Sequence, residues 1–111
     1  MAKLPNAEHA MVPPLKITGY LLNDSHPTGG PKSAFLQRFG FLLARPDALE
    51  AALLAHALAH DVRMSITTSR GMKYEISGPM VCPDGRMPIV KTVWIVLNGE
   101  TAPRFVTAVP D

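Results

Sequence analysis

At Asp61 the chain changes period. Before it, Leu49, Ala52, Leu53, His56, Ala57 and His60 recur on one face of a helix opened by Pro46-Asp47, and Leu54 and Leu58 widen that face. After it, Val62, Met64 and Ile66 alternate with Arg63, Ser65 and Thr67, the pattern of a strand with one wet face. Three turn signals divide the rest of the chain: Ser69-Arg70-Gly71, then Pro83-Asp84-Gly85, whose glycine can take a positive φ, then the hairpin dipeptide Asn98-Gly99. Between them Tyr74 and Ile76 alternate with Lys73 and Glu75, and Ile89 to Leu97 is almost wholly apolar and β-branched, as a central strand would be. Arg104 to Val109 returns as the last strand. Helices first and an antiparallel meander second can bury their apolar faces only against each other. The expected fold class is α+β, with two or three N-terminal helices packed on a four-stranded antiparallel sheet and the far face partly open.

The first half is more broken. Pro5, Pro13 and Pro14 make residues 1–13 an irregular or extended arm. Leu15 to Leu22 allows a short helix started by the prolines, while the alternation of Leu15 and Ile17 also allows a strand. Asn23 to Gly30 is a run of turn formers. Pro31 fits the first position of a helix carrying Ala34, Phe35, Arg38 and Phe39 up to Gly40. Residues 1–111 are expected to form one domain, since 111 residues suffice for a single hydrophobic core and not for two.

Composition excludes several classes of function. A chain that is 47% hydrophobic and 18% charged folds rather than staying disordered. One cysteine, Cys82, rules out an internal disulfide framework and fits a reducing cytosol. It stands before Pro83-Asp84-Gly85, as a small apolar residue beside a turn or as a reactive thiol. No apolar segment comes after Lys3 as in a signal peptide, and Ala51 to Leu58 is too short to span a bilayer, so a soluble cytoplasmic protein without a membrane partner is expected. The net charge of +2 resides in the second half, on Arg63, Arg70, Lys73, Arg86, Lys91 and Arg104, which permits a nucleic-acid partner without demanding one.

Signatures of known chemistry are mostly missing. The P-loop spacing and the nucleophile elbow are absent, and His56 and His60, four residues apart, lack the intervening glutamate of a zinc helix. They suit either half of a zinc site or a helix surface beside the core. The stretch from His26 to Lys32, HPTGGPK, stands out. If Pro31 begins a helix, the amides of Lys32 and Ser33 point outward unpaired, Gly29 and Gly30 let a ligand approach the backbone, and Lys32 adds charge for an anion. His26 can be a proton-transfer group or an ordinary loop histidine.

Arg104 and Thr107 could complete the site, yet their odd separation puts them on opposite faces of a regular strand, so a bulge would be needed. Thr92 and Trp94 share a face of the expected central strand. Trp94 can stack on a base or sit in the core, and Tyr74 has the same two options. Metal-independent RNA cleavage needs a base for the 2′-hydroxyl, an acid for the leaving oxygen and cations on the phosphate. A histidine, a lysine, an arginine and a hydroxyl supply these with no cofactor. The expected catalytic set is therefore His26, Lys32, Arg104 and Thr107, with Gly29, Gly30, Tyr74, Thr92 and Trp94 binding substrate and no metal ligand. The alternative is a non-catalytic module whose loop holds an anion or a partner carboxylate; a structural protein, whose loop shapes an interface, is the third.

Residues along most of the chain carry a resemblance. Leu4-Pro5-Asn6-Ala7-Glu8, Lys16 with Tyr20-Leu21-Leu22-Asn23, His26-Pro27 with Gly29 and Lys32, and Phe39-Gly40-Phe41 belong to it. So do Gly71 with Lys73-Tyr74, Gly78-Pro79, Pro83-Asp84-Gly85-Arg86, Val93-Trp94 and Pro103-Arg104-Phe105-Val106-Thr107-Ala108. Through these, from about Leu4 to Pro110, the chain resembles a small bacterial family catalogued as a domain of unknown function, family 6883. The resemblance implies a toxin encoded beside a small antitoxin protein, or the C-terminal module of a larger toxin or phage-associated protein. It also implies a fold similar to that of the barnase, EndoU, colicin and RelE ribonucleases, RNA as partner, and His26, Lys32, Arg104 and Thr107 as the active site. Where members of that family often read Lys-Ala-Arg-Phe, this chain reads Lys32-Ser33-Ala34-Phe35, one cation fewer, with Arg38 one turn on.

Overall fold

The computed structural model describes residues 2–111. A short 3-10 turn (Ala7–His9) leads to α1 (Pro14–Lys16), which runs directly into a π-helical turn (Ile17–Leu21). Then come α2 (Gly29–Arg38), α3 (Pro46–Ala59) and four strands, β1 (Val62–Thr67), β2 (Gly71–Pro79), β3 (Ile89–Leu97) and β4 (Arg104–Pro110). The strands form one antiparallel sheet in the order β1-β2-β3-β4, the meander that the three turn signals imply. The α+β class, with three helices on a four-stranded open sheet, is thus the observed one.

Period decides the layering. On β3, Val90, Thr92 and Trp94 alternate inward, and they meet Ile76 of β2 and Phe105 and Ala108 of β4. Leu49, Leu53 and Ala57 of α3 close over this face together with Leu21, Leu22 and Leu36. The other face carries Lys73, Ile95 and Arg104, which lie side by side across three strands. Edge strand β1 is exposed along its length except at Val62, which packs against the core.

Local sequence explains the element ends. Asp47 at the start of α3 receives two hydrogen bonds from Arg45 (3.2 and 3.1 Å), and its charge suits a helix N-terminus. At the other end Lys3 donates to the Ala59 carbonyl at 3.0 Å and pairs with Asp61 at 3.0 Å. The expected irregular arm is therefore fastened at both ends. It holds the C-terminus of α3 through Lys3, and it adds a parallel bridge to the β4 edge, where Met11 accepts from the Phe105 amide at 2.9 Å.

Two local expectations are refined. Leu15 to Leu22 resolves as helix rather than strand, and it widens to π geometry where the Leu22 amide reaches the Ile17 carbonyl at 2.8 Å. Helix α2 begins at Gly29, two residues ahead of Pro31. The Gly30 amide donates to the His26 carbonyl at 2.9 Å, so the first turn forms before the proline. Pro31, with no amide to satisfy, is tolerated in that turn.

Candidate functional site

The loop from His26 shapes the site by capping a helix. Nδ1 of His26 accepts the amides of Thr28 (3.1 Å) and Gly29 (2.9 Å), two of the donors that a helix start leaves unpaired. The amides of Lys32 and Ser33, expected to face a ligand, lie inside α2 instead. The glycines have a packing reason. A Cβ on Gly29 would stand 2.1 Å from the Tyr20 carbonyl oxygen, and one on Gly30 would stand 2.7 Å from that of Asp24. They admit a neighbouring backbone rather than a substrate.

That close approach seats Tyr20, a functional group to which residue type and spacing do not point. Lys32 Nζ donates to its hydroxyl at 2.6 Å, and the same hydroxyl shares a 2.9 Å hydrogen bond with Thr107 Oγ1. The His26 ring stands edge-on to the Tyr20 ring, with centroids 5.0 Å apart, and Lys16 Nζ lies 5.3 Å from the centroid. Partial burial raises the Tyr20 phenol, but hydrogen bonds from Lys32 and Thr107 and the charges of Lys32 and Lys16 outweigh it, leaving the group below its ordinary range. Three of the expected catalytic residues, His26, Lys32 and Thr107, thus meet around one phenol. Lys16 stands one turn before Tyr20, and a lysine at that distance from a tyrosine is too common a pair to single it out.

Tyr20, His26, Thr107 and Lys16 line a groove of about 670 Å3. Pro13, Lys16 and Val106 are shared with a second groove, of about 470 Å3, which carries Arg70, Lys73 and Arg104. Arg104 comes to this side because the register of β4 slips by one residue between its partners Val93 and Trp94. Arg104 pairs with Ile95 and Thr107 with Val93, two residues apart on β3 and hence on one face. The bulge needed to unite them is present. Glu100 holds Arg104 by two 3.1 Å hydrogen bonds.

Other expected binding residues lie elsewhere. Trp94 and Thr92 are fully buried, and their polar atoms are already used. Trp94 Nε1 donates to Thr92 Oγ1 (3.0 Å), and Thr92 Oγ1 lies 3.1 Å from His56 Nδ1. His56 Nε2 reaches the carbonyls of Val90 (2.9 Å) and Gly78 (3.1 Å). Carbonyls only accept, so Nε2 carries the proton and Nδ1 takes that of Thr92; the ring is neutral. Both nitrogens of His56 are thereby engaged, and His60 turns Nε2 to the Pro79 carbonyl at 2.8 Å, so the pair stitches α3 to the sheet instead of holding zinc. Of the two options for Trp94 the core one is observed, and Thr92, expected among the substrate-binding residues, is a core residue as well. Tyr74, opposite Trp94, packs against the same core. Cys82 is buried, and burial with the charge of Asp84 pushes its thiol up to about 11, which leaves it inert. Arg38 lines neither groove.

The model of a family described as a domain of unknown function (DUF6883) matches residues 3–111. No curated protein matches the chain. A chain in a solved structure described as a contact-dependent growth inhibition toxin–immunity protein complex from Klebsiella pneumoniae 342 is similar in fold. The TM-score is 0.70 at 15% identity, and the similarity covers 90% of this chain and 98% of that one. Among the described residues no helix is long and apolar enough to cross a membrane.

Proposed function

The chain belongs to the DUF6883 family, and from that membership and its site we propose that it is a toxin-type, metal-independent endoribonuclease. The carrying observation is the Lys32–Tyr20–Thr107 chain of hydrogen bonds, in which Tyr20 and Thr107 line a groove that shares Lys16 and Val106 with the groove carrying Arg104. The fold it shares with a chain of a toxin–immunity complex supports a place in a toxin system with a protein partner.

The geometry supports a division of roles different from the one residue type suggests. His26 cannot use Nδ1 as a base without releasing the two amides it caps. In the neutral ring the proton then sits on Nε2, which is free to donate to a phosphate oxygen. Proton transfer falls to Tyr20 and Lys32. The 2′-oxygen attacks phosphorus as its proton passes to the Tyr20 phenolate. The bond to the 5′-oxygen breaks as the Lys32 ammonium supplies the proton that this oxygen takes. A 2′,3′-cyclic phosphate and a 5′-hydroxyl result, and the Tyr20 hydroxyl returns its proton to the Lys32 amine across 2.6 Å. Lys16 and Arg104 supply charge for the phosphate, and Thr107 orients the phenol.

The test is incubation of the purified protein with RNA in EDTA. Cyclic-phosphate ends should appear, at a rate that rises as pH approaches the lowered Tyr20 titration. Tyr20→Phe should slow the reaction by about 10²–10⁴-fold, the usual weight of a general acid–base group. RNA left intact by the wild type across that pH range would sink the enzyme reading and leave an anion-binding module.

A further inference from the structure

Five of the eleven lysines and arginines, Lys16, Lys32, Arg38, Arg70 and Lys73, have no carboxylate within 4.0 Å among the described residues. Four of the five gather in one place. Lys32 holds Tyr20 beside the first groove, and Lys16, Arg70 and Lys73 line the second. Lys73 and Arg104 flank Ile95 from either side across the sheet; Glu100 is paired with Arg104, and Glu75, two residues along β2 from Lys73, is paired with Arg63 and Lys91. Like charges on one face of the sheet, on the two strands either side of β3 and so roughly 10 Å apart at the backbone, repel, and an anion between them relieves that repulsion.

The loop carrying Arg70 is built to stay in place. Thr68 Oγ1 accepts the amides of Arg70 and Gly71, each at 3.2 Å, and donates to the Gly71 carbonyl at 2.7 Å. The neighbouring hairpin ties down the same loop, because Asn98 donates its amide to the Arg70 carbonyl (2.8 Å) and Nδ2 to the Ser69 carbonyl (2.9 Å). A cation on a backbone so fastened is held for a ligand at little cost in ordering.

We propose that this second groove is a subsite for a neighbouring phosphate of single-stranded nucleic acid, a strand that passes over Lys16 and Val106 and lays that phosphate between Arg70 and Lys73. The inference rests on the ribonuclease reading for the identity of the strand and extends it from one scissile bond to a longer contact. It predicts that the enzyme prefers oligonucleotides to dinucleotides.

The experiment separates binding from cleavage. A dye-labelled oligodeoxynucleotide, which lacks the 2′-hydroxyl and cannot be cut, is titrated by fluorescence anisotropy over a salt series against wild type and the Arg70→Ser, Lys73→Ser double variant. Affinity should fall in the variant, and the slope of log K against log salt should flatten by about 0.7, the weight of one single-strand phosphate contact. In parallel, the ratio of kcat/KM on an RNA oligonucleotide to that on a dinucleotide should fall toward one. If wild type cleaves RNA while the double variant keeps both its affinity and its length preference, the subsite is overturned and the ribonuclease stands. If binding depends on Arg70 and Lys73 but no RNA is cut, the ribonuclease falls and the subsite stands. Poly-glutamate competing as well as the oligonucleotide would overturn the phosphodiester assignment in favour of an acidic protein.

Discussion

In the proposed mechanism Tyr20 and His26 divide the work that residue type alone would give to the histidine. An imidazole in a polar loop is the natural candidate for proton transfer, and HPTGGPK invites that reading. The hydrogen bonds decide otherwise, because a nitrogen that accepts two backbone amides has no lone pair left to take a proton. Arg104 is likewise qualified by its neighbour. Glu100 occupies the Nε–Nη2 edge of its guanidinium, in a half-exposed pair worth at most about 1 kcal/mol to the fold. Glu100→Gln should therefore leave thermal stability nearly unchanged. It should also tighten the binding of a single-stranded oligonucleotide severalfold, by freeing Arg104 and removing a negative charge from the groove. Weaker binding in that variant would show that Glu100 positions Arg104 rather than competing for it.

Two irregular elements build the site. The π turn swings Tyr20 toward β4, and the bulge in β4 turns Thr107 to meet it on the same face as Arg104. Both features break the regular periods on which a sequence is read, which is why Tyr20 does not stand out in the sequence and the bulge is legible there only as a requirement. Gly29 links the two helices, since its missing Cβ lets α2 lie against the Tyr20 carbonyl. Gly29→Ala should lower stability by about 1–3 kcal/mol in chemical denaturation, as overpacking does. It should also loosen the Lys32–Tyr20 contact, shifting any tyrosine-dependent pH profile upward. A variant as stable as the wild type would mean that the turn yields easily.

For the molecule as a whole, the layer that joins α3 to the sheet is held by a neutral buried histidine. Burial is the largest influence on His56 and lowers its titration below the ordinary value, and His60 adds to the effect against the carbonyls of Gly78 and Val90. The unfolded chain binds that proton more readily than the folded one. Stability is therefore fully present above the unfolded histidine value, about 6.5, and is lost as pH falls from there toward the lowered folded value. Tm should be level above neutrality and decline on acidification through that window, with the His56 Nε2–H resonance disappearing in the same transition. A Tm that rises on acidification would contradict the neutral ring. The amino-acid sequence by itself determined the element order, the antiparallel meander and the division into one covered and one open face, because period and turn chemistry are local properties. Only the tertiary structure decided which polar residues are functional candidates. Thr92, Trp94 and His56 satisfy one another in the core, while Lys32, Tyr20 and Thr107 are joined by hydrogen bonds through a π turn, and a bulge sets Arg104 on the same strand face as Thr107. A side chain's role depends on which partners occupy its donors and acceptors, and those partners lie up to 87 residues away along the chain.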